Sequence, residues 1–396
     1  MSPSMNRICF TIAITGIVVV GSVRTARVQS LPPLAFSAPH RALFQTPQDK
    51  PTEQVQKNIQ VLQGLPQSQL IPVMNFMSTS LGVRCTFCHV NNAGQWDFAA
   101  DTKPEKGTAR EMIKMVQNVN KTTFRGNTEV SCWTCHRGRT HPETVPPLPV
   151  AVSSPPAAAA ASPSASPSPT PGPPTADQIL ARYTEALGGP GAFAKIKSRS
   201  LKGTWLTSTG ASWGYEVLEA APDRLFMILN AGRQGTFERG ISGTIAWEQS
   251  ARGVRDVAGD EIAAMRRNQS LFSDLKLKEQ FSTLTFVGRD KIGDHDVYIL
   301  RGMDTANKRE RLYFDAQTGL LVRRMVFTPT PVGVIPEQVD YDDYRDVEGV
   351  KMPFTIRVSS VDPNGTSTRQ FTEIKINVPV DEVKFNKPAP KPTPSP

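Results

Sequence analysis

Histidine and cysteine are both scarce in this chain of 396 residues, with five of each. A disulfide-built scaffold is excluded, because four of the cysteines fall in two tight pairs and the fifth, Cys9, lies in an apolar stretch near the start. Lysine and arginine runs interleaved with aromatics are missing, so the net charge of +9 does not point to nucleic acid as a partner. No catalytic constellation stands out from Ala176 onward, which argues against an enzyme. Apolar runs are short as well. The longest follows Arg7 and extends from Ile8 to Val23, less than the roughly 20 residues of a comfortable membrane span. It reads as an export signal, with a small-x-small pattern at Ala35-Phe36-Ser37. Residues 1–37 are therefore expected to be a signal peptide, or else an uncleaved anchor in the inner membrane.

Proline is abundant and unevenly placed. Twelve of the 34 prolines lie between Pro142 and Thr175, among Ala, Ser and Thr with almost no large apolar side chain. Such a stretch is an extended linker that divides the chain in two. The expected division is a spacer at 38–51, a helical domain at 52–142, a linker at 143–175, a β domain at 176–388 and a Pro-rich tail at 389–396.

Three helical patterns precede the linker. The first carries Val55, Ile59 and Leu62 and stops at Gly64 and Pro66. The second covers about Pro72 to Leu81, with Gly82 ending it. The third opens on a capping box, Thr108 with Glu111, and sets Met112, Met115, Val116 and Val119 on one face. These helices bury little by themselves, so something else must fill their core.

After the linker, Thr175 and Gln178 form a capping box ahead of a helix carrying Ile179, Leu180, Tyr183 and Leu187. Alternating runs then dominate: Val297 to Leu300, Arg311 to Phe314, Leu320 to Phe327, Phe354 to Val358 and Phe371 to Val378. Turn signals such as Gly293-Asp294, Thr318-Gly319 and Asn364-Gly365 separate them, and the regular spacing implies one large antiparallel sheet. The fold class expected is thus multidomain α+β.

The chemistry lies in Cys85-Thr86-Phe87-Cys88-His89 and Cys132-Trp133-Thr134-Cys135-His136. Both are C-x-x-C-H, the spacing at which two thioethers fasten a haem and the next residue binds its iron. A lone C-x-x-C also suits a thiol redox pair or half a zinc site. With histidine this rare, two such coincidences argue for haem, and the 43 residues between Cys88 and Cys132 exceed the usual spacing of a zinc ribbon. The expected cofactors are two covalently attached haem c groups. Cys85, Cys88, Cys132 and Cys135 attach them, and His89 and His136 ligate iron. For the sixth position, Met74 and Met77 lie on the helix before the first motif, and Met112 and Met115 on the helix before the second. An open sixth position would instead suit ligand binding.

The run from Met74 to His89 resembles the helix and haem loop of the photosynthetic reaction-centre cytochrome c subunit. So do Phe98-Ala99-Ala100-Asp101, Ala109-Arg110-Glu111-Met112 and Val130 to Gly138. The resemblance implies methionine as sixth ligand, at Met74 and Met112, with Met77 and Met115 as fallback. It also implies electron transfer to redox partner proteins in the periplasm or at the membrane surface. The family's subunit carries four haems, whereas this chain has motifs for two. Residues 52–142 carry ten Lys or Arg and six Asp or Glu, a charge of +4 that four propionates would bring near zero.

The part from Ala176 to Pro388 resembles periplasmic outer-membrane lipoprotein carrier proteins, on the strength of the helix from Ala176 to Gly188, the hairpin from Tyr313 to Leu321, and Tyr341-Asp342-Asp343-Tyr344-Arg345 followed by Gly349-Val350-Lys351-Met352-Pro353. That implies an antiparallel β half-barrel with an N-terminal helix in its mouth and an acyl chain or lipoprotein as ligand. The alternative function is a haem-based redox or ligand sensor fused to an apolar-ligand binding domain. His295 and the aspartates Asp340, Asp342, Asp343 and Asp346 are expected to be solvated, the latter along a strand edge.

Overall fold

A computed structural model describes residues 49–142, 173–269, 277–304, 308–361 and 365–389. The expected signal or anchor and most of the expected linker lie outside the described residues, and among those described no helix is long and apolar enough to cross a membrane.

The first part contains α1 (Thr52–Val55), α2 (Gln67–Leu81), the small hairpin β1 (Val90–Asn92) and β2 (Gln95–Asp97), α3 (Pro104–Thr122) and α4 (Cys132–His136). Three boundaries differ from the sequence pattern. The first helix lasts one turn, because Gln56 is extended and Asn58 adopts φ 61°; Leu62 still reaches the core, but from irregular chain. The second begins at Gln67, well before Pro72, and a carboxylate outside it caps its start: Asp49 accepts hydrogen bonds from the Ser68 amide (3.1 Å) and hydroxyl (2.6 Å). The third starts at Pro104, where the missing N–H costs nothing, so Thr108 lies inside the helix and bonds back to the Pro104 carbonyl at 3.3 Å.

The second part opens with α5 (Ala176–Ala186) and α6 (Pro190–Phe193). The capping box is formed as expected: the Thr175 amide donates to Gln178 Oε1 at 2.9 Å, and the Gln178 amide to Thr175 Oγ1 at 3.2 Å. Six strands follow, β3 (Ser198–Thr207), β4 (Ser212–Ala220), β5 (Arg224–Asn230), β6 (Thr236–Ser242), β7 (Ile245–Ser250) and β8 (Gly253–Asp256). Helix α7 (Asp260–Gln269) leads to seven more: β9 (Phe281–Ile292), β10 (His295–Asp304), β11 (Arg309–Asp315), β12 (Leu321–Thr330), β13 (Gly333–Val347), β14 (Val350–Ser360) and β15 (Ser367–Ile376).

All thirteen form one sheet in the order β8-β7-β6-β5-β4-β3-β15-β14-β13-β12-β11-β10-β9. Two meanders are thus joined where β15 pairs antiparallel with β3. The sheet is open, since β8 and β9 are edges and do not pair. Its alternation buries one face in two clusters. One packs Tyr215, Ile241 and Met352 beneath α7, and the other packs Ile179, Leu180 and Tyr183 of α5 against Phe314, Leu321 and Val339. Each such side chain contributes roughly 1.5–3 kcal/mol of apolar burial.

A third cluster links the two parts of the chain. Leu62, Leu65, Leu70, Val73, Phe76 and Ile113 pack with Val332 and Ile335, which come from the turn and strand at β12–β13.

Candidate haem-attachment sites

Both motifs lie on single helical turns. Cys85–Phe87 is a 3-10 turn, and the His89 amide closes onto the Cys85 carbonyl at 2.9 Å. Cys132–His136 is α4, started by a second capping box in which the Ser131 amide donates to Thr134 Oγ1 at 3.0 Å. On a helical turn, residues three or four apart share a face, so two sulfurs and the following imidazole can address one planar ligand. None of the four thiols is paired with another. Burial pushes the Cys88 thiol up, with Glu105 adding to it, and burial does the same at Cys132.

The two histidines are held differently. Burial, then the charge of Lys106, lowers the His89 pKa and keeps its imidazole neutral, the form that ligates metal. Its Nδ1 is buried and makes no well-formed hydrogen bond; the nearby Phe98 backbone exerts only a smaller, opposing effect. The Phe98 ring meets the imidazole edge-on at 5.3 Å and stacks on Trp96 at 5.1 Å. His136 Nδ1 lies 2.9 Å from the Arg139 carbonyl, so it carries the hydrogen and leaves the other ring nitrogen a lone pair.

A polar frame that the sequence did not advertise positions the first loop. Lys106 Nζ donates to the carbonyls of Phe98 (3.0 Å), Ala99 (3.1 Å) and Ala100 (2.8 Å) and pairs with Asp101 at 3.0 Å. Arg110 reaches the same Asp101 oxygen at 2.9 Å. The Arg110 hydrogen bond, with Asn58 and Lys106, holds the Asp101 carboxyl far below the usual carboxylate range. Two segments whose resemblance was read separately, Phe98–Asp101 and Ala109–Met112, are therefore parts of one ion-paired frame. An open cleft of ≈ 690 Å³ lined by Val83, Arg84, Phe87, Lys103 and Pro104 lies beside it.

The second loop is tied to α2. Gly82 ends that helix at φ 68°, and a Cβ there would come 2.1 Å from the Gly138 carbonyl oxygen; the Gly138 amide donates to the Ser80 carbonyl at 2.8 Å. Only glycine allows this approach. Asn120, buried at the end of α3, holds the approach to Cys132: its Nδ2 donates to the Val130 carbonyl (2.7 Å), and its Oδ1 accepts from the amides of Glu129 (3.1 Å) and Val130 (2.9 Å).

The methionines divide. Met74 and Met77 are half-buried against the third cluster, as is Cys132. Met112 and Met115 are 40% and 47% exposed, because the face of α3 that packs on protein is Ile113, Val116 and Asn120. Other apolar groups in this part also face outward: among the described residues, eight of the eleven exposed large hydrophobics belong to it, including Phe87, Trp96, Phe98 and Trp133. A thiol pair and imidazole on each turn, with apolar side chains left uncovered around them, is a donor set and lining that fits a haem.

The family model of the photosynthetic reaction centre cytochrome C subunit matches residues 17–166. The motif-bearing segment matches that family. Cytochrome c-554 of Chloroflexus aurantiacus is 36% identical to the chain over 112 residues, covering 24% of this chain and 26% of that protein. The photosynthetic reaction center cytochrome c subunit of Rubrivivax gelatinosus is 34% identical over 86 residues, covering 18% and 23%. The chain thus spans about a quarter of the length of these curated relatives. A LolA superfamily protein from Nitrosomonas europaea is similar to 54% of this chain and 99% of that one, with 14% identity and a TM-score of 0.38. A putative outer membrane lipoprotein-sorting protein domain from Vibrio parahaemolyticus covers 53% and 95%, with 11% identity and a TM-score of 0.38.

Away from the motif-bearing segment, His295 is exposed but not alone, its Nδ1 lying 2.9 Å from Asp315 Oδ2. The aspartates all lie on β13, which pairs with β14 and β12 inside the sheet rather than forming an edge. Asp340 pairs with Arg323 (2.5 Å), Asp342 with Arg357 (2.9 Å) and Asp343 with Arg345 (2.6 Å), while Asp346 accepts from the Gly349 amide (3.0 Å). Between α5 and the sheet, a space lined by Tyr183, Leu187, Phe193 and Tyr341 measures only ≈ 20 Å³.

Proposed function

We propose that the chain is an exported electron-transfer protein whose cytochrome segment carries two covalently bound, His/Met-ligated haems. The observation that carries this is the pair of C-x-x-C-H turns, each with its histidine close in the chain to large apolar side chains that stay exposed, Phe87, Trp96 and Phe98 by the first and Trp133 by the second. When bound, the two groups would take up and release single electrons by cycling iron between ferric and ferrous states. The protein's share is to hold the ligands. His136 is oriented through Arg139, and His89 is kept neutral by burial and by Lys106. Met74 and Met112 are the sixth ligands in this proposal, with Met77 and Met115 next in line. The outward position of Met112 supports the assignment, since a long apolar side chain left uncovered on a helix is free to turn toward a ring. Partners are then redox proteins of the periplasm or the membrane surface, and the N-terminal segment is either the export signal that sends the chain there or its anchor in the inner membrane.

The test is haem content and ligation. Purified protein should hold two haems per chain, and Cys85→Ser with Cys88→Ser, or Cys132→Ser with Cys135→Ser, should each remove one. The weak red band of ferric methionine-ligated haem should diminish in Met74→Ala and in Met112→Ala. Colourless protein with four free thiols overturns the reading, and ready carbon monoxide binding at both ferrous irons overturns the closed-carrier form of it.

The sensor alternative requires an apolar ligand on the sheet. The interior space of ≈ 20 Å³ has room for one water, which needs about 10–15 Å³, and so cannot take an acyl chain in this conformation. A cleft of ≈ 350 Å³ at the edge of α5, lined by Gln178, Ile179, Arg182, Tyr298 and Phe314, is the place that favours such a ligand.

A further inference from the structure

The β12–β13 turn does more than connect two strands. Val332 at its tip is fully buried, in one cluster with Val73, Phe76 and other side chains of the first part and with Ile335 of β13. Its carbonyl oxygen lies 3.9 Å from Cys132 Sγ, the sulfur that stands where a thioether to the second haem would be. The next residue, Gly333, approaches so closely that a Cβ would come 2.7 Å from both the Phe76 ring and Ser131 Cβ. The turn is held in shape from within, since Thr330 Oγ1 donates to the Gly333 carbonyl at 2.6 Å.

Two further contacts fix the same arrangement from other parts of the sheet domain. Thr79 Oγ1 of α2 donates to the Val361 carbonyl at 2.8 Å. Gly259, just before α7, lies against Asp49, the carboxylate that caps α2, so closely that a Cβ there would collide with it. Contacts at three separate points of one domain, two of them tolerating only glycine, describe a fitted seat rather than a loose tether.

We propose that the β12–β13 turn, Val332 above all, is a wall of the second haem's pocket, so that the C-terminal sheet is a structural part of the cytochrome. The inference rests on the haem reading above. It assigns Val332 and Gly333 as positioning residues that close the Cys132 side of the ring to water. Excluding water from that side disfavours the ferric form, which carries the extra positive charge, and so raises the affinity of this iron for an electron. The sheet would then set the driving force between the two haems.

The wild-type holoprotein gives the first test. With 13C-methyl-labelled valine, the Val332 methyl resonances, assigned by their loss in Val332→Ile, should be among the valine methyls that shift most between the ferric and ferrous states, because the shift falls with the cube of the distance from the iron. Unmoved Val332 methyls overturn the proposal whatever any variant does. The second test is a potentiometric titration of Val332→Asp. A carboxylate and water at the wall should stabilise the ferric form of one haem about tenfold, 59 mV for one electron, and leave the other haem unchanged. Two unchanged potentials in a folded variant that retains both haems also overturn it. A wild-type chain with no haem on Cys132 and Cys135 instead overturns the reading on which the proposal rests, and haem counting separates the two failures.

Discussion

Replacing Asn120 by alanine removes three hydrogen bonds at once from the strand of chain that delivers Cys132. The lost bonds are those from Nδ2 to the Val130 carbonyl and to Oδ1 from the amides of Glu129 and Val130. At about 1 kcal/mol net for each, the loss is about 3 kcal/mol, and Val130 is half-buried, so water replaces its partners incompletely. If the described part unfolds as one unit, this corresponds to a fall in Tm of about 5 °C. Asn120→Asp is the informative companion. It keeps the acceptor for the two amides but sets a carboxylate oxygen against the Val130 carbonyl, so it should lose at least the bond that Nδ2 makes. Thermal unfolding of the haem-loaded protein measures the stability, and mass spectrometry of the peptide holding Cys132 to His136 measures haem attachment there. Both variants should lower Tm and reduce attachment at the second motif more than at the first. Asn120→Ala melting within about 1 °C of wild type, with the second motif fully loaded, refutes the assignment of Asn120 as the residue that presents this loop.

The Asp101 frame predicts a pH dependence. Because Arg110, Asn58 and Lys106 hold the folded-state pKa below the unfolded value, the carboxylate contributes stability that is fully present above the ordinary carboxylate pKa, about 3.9, and is lost as pH falls through the folded value. The stability gap between wild type and Asp101→Asn should therefore be constant from pH 7 to 5 and narrow in stronger acid, as read by denaturant titration; a gap that widens on acidification contradicts the frame. Gly82→Ala places a Cβ at φ 68° and 2.1 Å from the Gly138 carbonyl oxygen. The backbone strain alone is roughly 1–3 kcal/mol, so a clear fall in Tm is expected, and unchanged melting would show that α2 and the second loop are not in register as described.

What the residues revealed directly was local and periodic. The two motifs, the alternating strands of the sheet and the Thr175–Gln178 cap are each decided within a few positions, and they lie where periodicity put them. The helices of the cytochrome segment were less legible for identifiable reasons. A four-residue α1 follows from Asn58 adopting a left-handed conformation, which asparagine tolerates but does not announce. Thr108 and Glu111 match a capping box, yet Pro104, with no amide to satisfy, begins the helix a turn earlier. Lys106, Asp101, Arg110 and Asn120 resemble ordinary polar surface residues in sequence. Their roles come from carbonyls and amides that only the folded loop brings near.

The placement of Met112 and Met115 follows the same logic one level up. Helical periodicity grouped them with Val116 and Val119 on one face, but the pattern marks apolar positions without saying what will cover them. Protein buries Ile113 and Val116, whereas among the described residues the two methionines stay 40% and 47% exposed. Seven buried apolar side chains, Leu62, Leu65, Leu70, Val73, Phe76, Ile113 and Val116, are a small core for residues 49–142, below what a segment of that length needs to hold short helices together. The deficit is met from outside the segment. Val332 and Ile335 of the sheet enter the cluster, while Met112 and Met115 of α3, with Phe87, Trp96, Phe98 and Trp133, stay exposed. The sheet thus supplies part of the core that the motif-bearing segment lacks, and a turn carbonyl 200 residues away in sequence comes to lie 3.9 Å from Cys132 Sγ.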